Sequence, residues 1–309
     1  MKKQKVLLIV GPTAIGKTSL SLKIAKQFNG EIISGDSMQV YKGLDIGTSK
    51  ILPDEMQDIP HHLIDCCSIE EKFSVAKFVN LTSQLIREIN DRHCLPIIVG
   101  GTGFYIQALL DGLSLGTKED IKFRKHLNAL VEVHGSNWLW NKLSKIDPNA
   151  AKKIDKNNTR RIIRAIEVFK HSGKSINEQI NKGQSYDAFL IGLNTRRNVL
   201  YDRINRRVDL MIEQGLVNEA KWLYLNNGKE LQCGKGIGYK ELFKYFDNEI
   251  SLDDAIELIK KDSRHYAKRQ LTWFNNKMNI THWYDLVNDS DKEHLSVLLE
   301  DVNQWVNKT

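Results

Sequence analysis

Val6-Leu7-Leu8-Ile9-Val10-Gly11-Pro12-Thr13-Ala14-Ile15-Gly16-Lys17-Thr18 joins a short apolar run to a G-x-x-x-x-G-K-T loop, and the helical stretch Ser19–Phe28 follows at once. Strand, glycine-rich turn and helix in that order form a phosphate loop. Its glycines let backbone N–H groups curl around phosphate oxygens, and the helix N-terminus adds its dipole. Lys17 supplies a cation and the Thr18 hydroxyl can hold Mg²⁺, so residues Gly11, Pro12, Thr13, Ala14, Ile15, Gly16, Lys17 and Thr18 are the expected polyphosphate-binding set.

Working outward, further strand-like runs occur at Glu31–Ser34, Leu63-Ile64, Pro96–Val99 and Phe189–Leu193. Helical periodicity lies between them, at Val75–Asn90 and at Phe104–Leu110 after the turn Gly100-Gly101-Thr102-Gly103. Strands alternating with helices predict an α/β fold around a parallel sheet. From about Leu115 to Tyr186 the pattern is helical. The expected organisation is therefore a catalytic core from residues 1–114 and 187–309, with a helical C-terminal region, and a helical insertion at 115–186. Within the insertion, Asn158 caps a helix that runs to Lys170-His171 and stops at Gly173, with Arg160 and Arg164 on one face and Ile162, Ile163, Ile166 and Phe169 on the inward side. In the C-terminal region Leu200, Ile204, Val208 and Met211 form a core stripe, and Arg203 and Arg207 share a face beside it.

Charge divides unevenly. Residues 1–114 hold 12 Lys+Arg and 12 Asp+Glu, residues 115–197 hold 17 and 8, and residues 198–309 hold 16 and 18. The whole net charge of +7 thus comes from the middle stretch, a local excess that points to a polyanion such as nucleic acid. Of 309 residues, 41% are hydrophobic and 27% charged, and no apolar run approaches the roughly 20 residues of a membrane helix. The basic N-terminus leads into the phosphate loop rather than a cleavage site, so a cytoplasmic protein without membrane association is expected. Cys66, Cys67, Cys94 and Cys233 have neither zinc nor disulfide-framework spacing.

The second polar cluster is Asp36-Ser37-Met38-Gln39, at the end of the Glu31–Ser34 strand. Read from the residues alone, Asp36 could be the metal-holding acid of a nucleoside triphosphatase, although the cluster is richer than a metal site needs and the Pro96–Val99 strand ends in Gly-Gly-Thr-Gly instead of an acid.

Together with Leu44-Asp45-Ile46-Gly47-Thr48, Pro60-His61-His62-Leu63-Ile64-Asp65, Gly100–Tyr105, Asn158–Arg164, Gly236–Lys240 and Lys268–Phe274, these motifs resemble the tRNA dimethylallyltransferases over nearly the whole chain. The resemblance implies a kinase-like phosphate-loop core, a helical insertion that clasps the anticodon stem-loop, and transfer of a dimethylallyl group from dimethylallyl diphosphate to N6 of adenine 37. The tRNAs concerned read codons beginning with U. With no second Cys/His cluster before Thr309, the chain looks like the shorter bacterial form, acting as a monomer. Mg²⁺ is the implied cofactor. The resemblance makes Asp36 the base for the N6 proton, and makes Thr18 and Arg203 catalytic partners that stabilise the leaving diphosphate. It implies tRNA contacts from Asp36, Ser37, Met38, Gln39, Thr102 and Arg124, from Arg160, Arg161, Ile162, Ile163 and Arg164, from Lys235, Gly236, Ile237, Gly238, Tyr239 and Lys240, and from Arg269 and Gln270. Trp273 and Phe274 offer stacking surface or core. Adenylate isopentenyltransferases share the phosphate loop and the Asp-centred motif but have less need for a basic insertion.

Overall fold

The computed structural model describes residues 3–112, 120–178, 186–280, 282–287 and 291–308. The sheet contains β1 (Gln4–Val10), β2 (Gly30–Ser34), β3 (His61–His62), β4 (Leu95–Gly100), β5 (Tyr186–Leu193) and β6 (His282–Tyr284), in the order β3-β2-β4-β1-β5-β6 with every pairing parallel. Parallel strands need covered faces. Side chains therefore alternate between two cores: Val6, Leu8 and Val10 of β1 join one, and Leu7 and Ile9 join the other. All five are fully buried. At roughly 1.5–3 kcal/mol for each buried large aliphatic side chain, this central strand is a principal anchor of the sheet.

α1 (Lys17–Gln27), α2 (Val75–Asp91) and α3 (Gly103–Leu110) are the helices linked to the first strands. α7 (Arg197–Glu213), α8 (Leu216–Leu225), α9 (Tyr239–Phe246), α10 (Leu252–Lys277) and α11 (Asp291–Asn307) make up the C-terminal region. The expected parallel sheet is present, with two differences in detail. The strand expected at Leu63-Ile64 lies at His61–His62, because Leu63 adopts a left-handed φ of 60° that ends the extended run. The edge strand β6, only three residues long, went unrecognised in the sequence.

The chain divides into one compact unit of Met1–Leu110 with Gln184–Thr309 and a second of Asp111–Gly183. Leu115, where the sequence placed one boundary, lies outside the described residues; Tyr186, where it placed the other, begins β5 and belongs to the sheet unit. The second unit contains α4 (Ile121–Ile146), interrupted at Gly135 by a φ of 79°, then α5 (Pro148–Ala151) and α6 (Thr159–Ser172). The Asn158 side chain caps α6 by accepting from Arg161 N, and Gly173 terminates it at a φ of 67°.

Ile162 and Ile163 fill the core of this unit, with Leu127, Leu139 and Leu143. Their side chains are buried, on the inward side of the helix that the periodicity predicts. Arg124 and Arg164 are also not simply solvated. Both grip the fully buried carboxylate of Glu167, at 2.6 and 2.5 Å. Burial pushes the Glu167 carboxyl up, but the two guanidinium groups outweigh it and hold it below its ordinary value. Arg160 and Arg161 remain exposed. Glu167→Ala would remove the buried carboxylate that both guanidinium groups bind, and chemical denaturation should register a loss of about 2–3 kcal/mol relative to the native chain.

Candidate active site

The phosphate loop leaves β1 at Gly11, where φ is 152° and a β-carbon would lie 2.6 Å from the Leu193 carbonyl oxygen. Ala14 (φ 62°) and Gly16 (φ 100°) complete the curl, and Gly16 is the N-cap of α1. No side chain caps this helix, which leaves its first-turn amides open to an anion. Lys17 Nζ spans the loop, donating to the carbonyls of Gly11 and Pro12 at 3.1 and 2.7 Å. Burial, reinforced by the nearby Arg207 cation and opposed by Asp36, lowers its pKa to about 7.

Across from the loop, β2 runs into Gly35, whose N–H donates to Val99 O at 2.7 Å. Asp36 then turns the chain: its Oδ1 accepts from Met38 N at 2.7 Å and Gln39 N at 3.4 Å. That is an Asx turn, and it fixes the carboxylate through Oδ1. Ser34 Oγ donates to Gln39 Oε1, and Gln39 Nε2 donates to the carbonyls of Thr48 and Ser49. The Thr102 hydroxyl accepts from Ser37 N at 3.3 Å.

Two helices close the third side. From α7, Arg203 Nε donates to Ala14 O at 2.8 Å, while Arg207 donates from Nε to Ser49 Oγ at 2.7 Å and from Nη1 to Thr13 Oγ1 at 3.1 Å. From α10, Gln270 joins two loops, accepting from Thr13 N at 2.9 Å and donating to Gly101 O at 3.0 Å. Tyr266 stands one turn earlier, its hydroxyl raised to about 12 by burial and by the Asp36 charge. Together these groups border a cavity of about 560 Å³. His61 lines it too; its Nδ1 donates to Ile59 O at 2.8 Å, so the buried and unpartnered Nε2 is an acceptor.

The fold thus gathers Thr13–Thr18, Asp36, Gln39, Arg203 and Gln270 around one space, with Gly11 and Pro12 outside its lining. Gln270 is a buried clamp, both ends of its amide engaged with protein, and it lines the cavity. Tyr239, expected to meet tRNA, is fully buried, with its hydroxyl donating to Glu219 at 2.7 Å. Lys240 is paired with Asp262 at 2.6 Å. Gly236 packs on Met38, whose Cε would lie 2.7 Å from an added β-carbon, and the Gly238 N–H donates to Glu241. Lys235 and Arg269 are exposed, Trp273 is partly buried and Phe274 is core. Sequence reasoning gave Arg207 no role, although it stands one helical turn beyond Arg203 on the same face. It also missed Tyr266, one turn before Gln270.

A phosphate loop facing a fixed carboxylate and two arginines across a polar cavity defines a phosphate-loop enzyme of the kinase-like α/β class. A family model described as IPP transferase matches residues 39–277. The tRNA dimethylallyltransferase of Limosilactobacillus reuteri (strain DSM 20016) is 55% identical over 308 residues, covering 98% of this chain and 99% of its own. The solved structure of the full-length tRNA isopentenylpyrophosphate transferase from Bacillus halodurans is similar at 48% identity and a TM-score of 0.75, covering 98% of this chain and 97% of that one. A eukaryotic dimethylallyltransferase acting on tRNA gives a TM-score of 0.84 at 30% identity, over 98% of this chain and 79% of its own. The chain belongs to the IPP transferase family.

Because Lys17 carries its charge below about 7 and loses it above, the advantage of the native chain over Lys17→Ala in binding inorganic diphosphate should shrink as pH rises through that value. Calorimetric titrations of both proteins between pH 6 and 9 check this, since the ligand's own ionisation cancels in the ratio.

Proposed function

We propose that this enzyme transfers a dimethylallyl group from dimethylallyl diphosphate to N6 of adenine 37 in tRNAs that read codons beginning with U. The observation that carries the reading is the fixed Asp36 carboxylate facing the cationic phosphate loop across one cavity. The loop amides, Lys17, Arg203 and Arg207 hold the diphosphate and stabilise the charge that grows on it as the C1–O bond breaks. Adenine N6 forms the new bond to C1, and Asp36 takes the proton the amine sheds. Products are the N6-prenylated base and diphosphate. Adenine 37 must leave its stack to reach the cavity, at a cost of a few kcal/mol that phosphate contacts offset. Exposed Arg160 and Arg161, in the stretch that holds the surplus positive charge, support those contacts.

The residues fit Mg²⁺ in the manner of other phosphate-loop enzymes. Thr18 offers a hydroxyl and Asp36 a carboxylate oxygen, whereas no cluster of three or more His, Cys, Asp or Glu among the described residues could hold a metal by itself. Such a site relies on substrate phosphate and water for its remaining ligands. When bound, the ion neutralises charge on the diphosphate. No helix among the described residues is long and apolar enough to cross a membrane, in keeping with a tRNA enzyme of the cytoplasm.

Purified protein given Mg²⁺ and dimethylallyl diphosphate should convert unmodified tRNA, but not AMP, to the N6-prenylated product, followed by mass spectrometry. Product on AMP alone would overturn the reading. Asp36→Asn keeps the side chain's shape but not its basicity, and should cut turnover by about 10²–10⁴-fold. Removing Arg160 and Arg161 should flatten the dependence of log affinity for tRNA on log salt by about 0.7–0.9 for each phosphate they neutralise.

A further inference from the structure

The segment that presents Thr48 and Ser49 to the cavity is held from behind by a single carboxylate. Glu219, on α8, accepts from three successive backbone amides: Asp45 N at 2.7 Å and Ile46 N at 2.8 Å on Oε2, and Gly47 N at 2.9 Å on Oε1. Its Oε1 also accepts the Tyr239 hydroxyl at 2.7 Å. Glycine is required at 47, because a β-carbon there would sit 2.6 Å from the Tyr239 ring and hydroxyl. Lys50 pins the far end of the segment, donating to Asp45, Asp65 and Tyr41 O.

Between these pins Ser49 adopts a left-handed φ of 48°, a conformation that persists in a non-glycine residue only where its surroundings impose it. From that position its Oγ receives Arg207 Nε at 2.7 Å, and the Thr48 and Ser49 carbonyls receive Gln39 Nε2 at 3.2 Å each. Glu219 does not line the cavity. It reaches the cavity only through the backbone it holds.

We propose that Glu219 is a positioning residue for the diphosphate donor: by neutralising the 45–47 amides it fixes Ser49, and through Ser49 it aims Arg207 at the phosphate loop. This rests on the reading of the cavity as a prenyl diphosphate site. Glutamine cannot substitute, since its NH₂ group would face backbone N–H donors or the tyrosine hydroxyl where an oxygen now accepts two hydrogen bonds.

The test compares Glu219→Gln, Ser49→Ala, their double variant and the native chain. Readouts are the calorimetric Kd for inorganic diphosphate, the KM for dimethylallyl diphosphate and for tRNA, kcat, and thermal unfolding. Glu219→Gln should weaken inorganic diphosphate binding and raise the donor KM by about tenfold, with the KM for tRNA held within about twofold. Ser49→Ala should act in the same direction, and the double variant should be no worse than Glu219→Gln alone, because both break one path. A native Kd in Glu219→Gln, or effects that multiply in the double variant, would overturn the assignment. Tyr239→Phe removes one of the four hydrogen bonds and should shift the same two constants by about threefold; an unchanged Kd there overturns the proposal even if Glu219→Gln does not fold. If the native chain binds inorganic diphosphate yet prenylates no tRNA, the functional reading fails, whereas the positioning role is still decided by the Kd values.

Discussion

At the carboxyl edge of the sheet, backbone segments approach so closely that a β-carbon has no room, and the geometry of the cavity depends on that approach. A β-carbon on Gly100 would collide with Gly35 O, and one on Gly11 would lie 2.6 Å from Leu193 O. These close approaches bring the ends of β1, β2, β4 and β5 within reach of one another. The strand order supplies the complementary condition. With β1 between β4 and β5, the phosphate loop opens at the middle of the edge rather than at its margin. Helices α7 and α10 then need contribute only a few side chains, and Gln270 ties the loop after β1 to the loop after β4 with one amide.

The electrostatics follow from enclosure. Lys17 and Arg207 are both held below their ordinary pKa values, burial being the main cause in each, and the Asp36 charge is the opposing influence on both. Two desolvated cations beside a single carboxylate make a site short of negative charge, which a diphosphate supplies. A diphosphate bound there, as proposed above, would relieve that imbalance. Tyr266 completes the enclosure near Asp36 as a neutral hydroxyl.

Features encoded by local sequence were legible; those created by tertiary pairing were not. The phosphate loop, the long strands and the Asn158 cap depend on neighbours within a few residues, and the chain spells them out. His61–His62 is too short to show a period, and β6 gains its identity only from pairing with β5. On α6, Arg160 and Arg164 look alike in sequence, but Arg164 is drawn onto Glu167, three residues ahead, which also binds Arg124. Gln270 and Tyr239 carry polar atoms that read as surface donors, whereas the fold buries both and satisfies them internally. Arg207 was visible as a cation but not as part of the cavity, because its partners Thr13 and Ser49 are 194 and 158 residues away.

The sheet begins and ends in very short strands, two residues in β3 and three in β6. Each margin thus offers only a few unpaired backbone groups to any other polypeptide. A long parallel sheet forms slowly and risks recruiting a second chain through open edges while it does so. Here the growing ladder runs out almost as soon as it passes the longer strands, and the marginal pairs give an intruding strand little length on which to register.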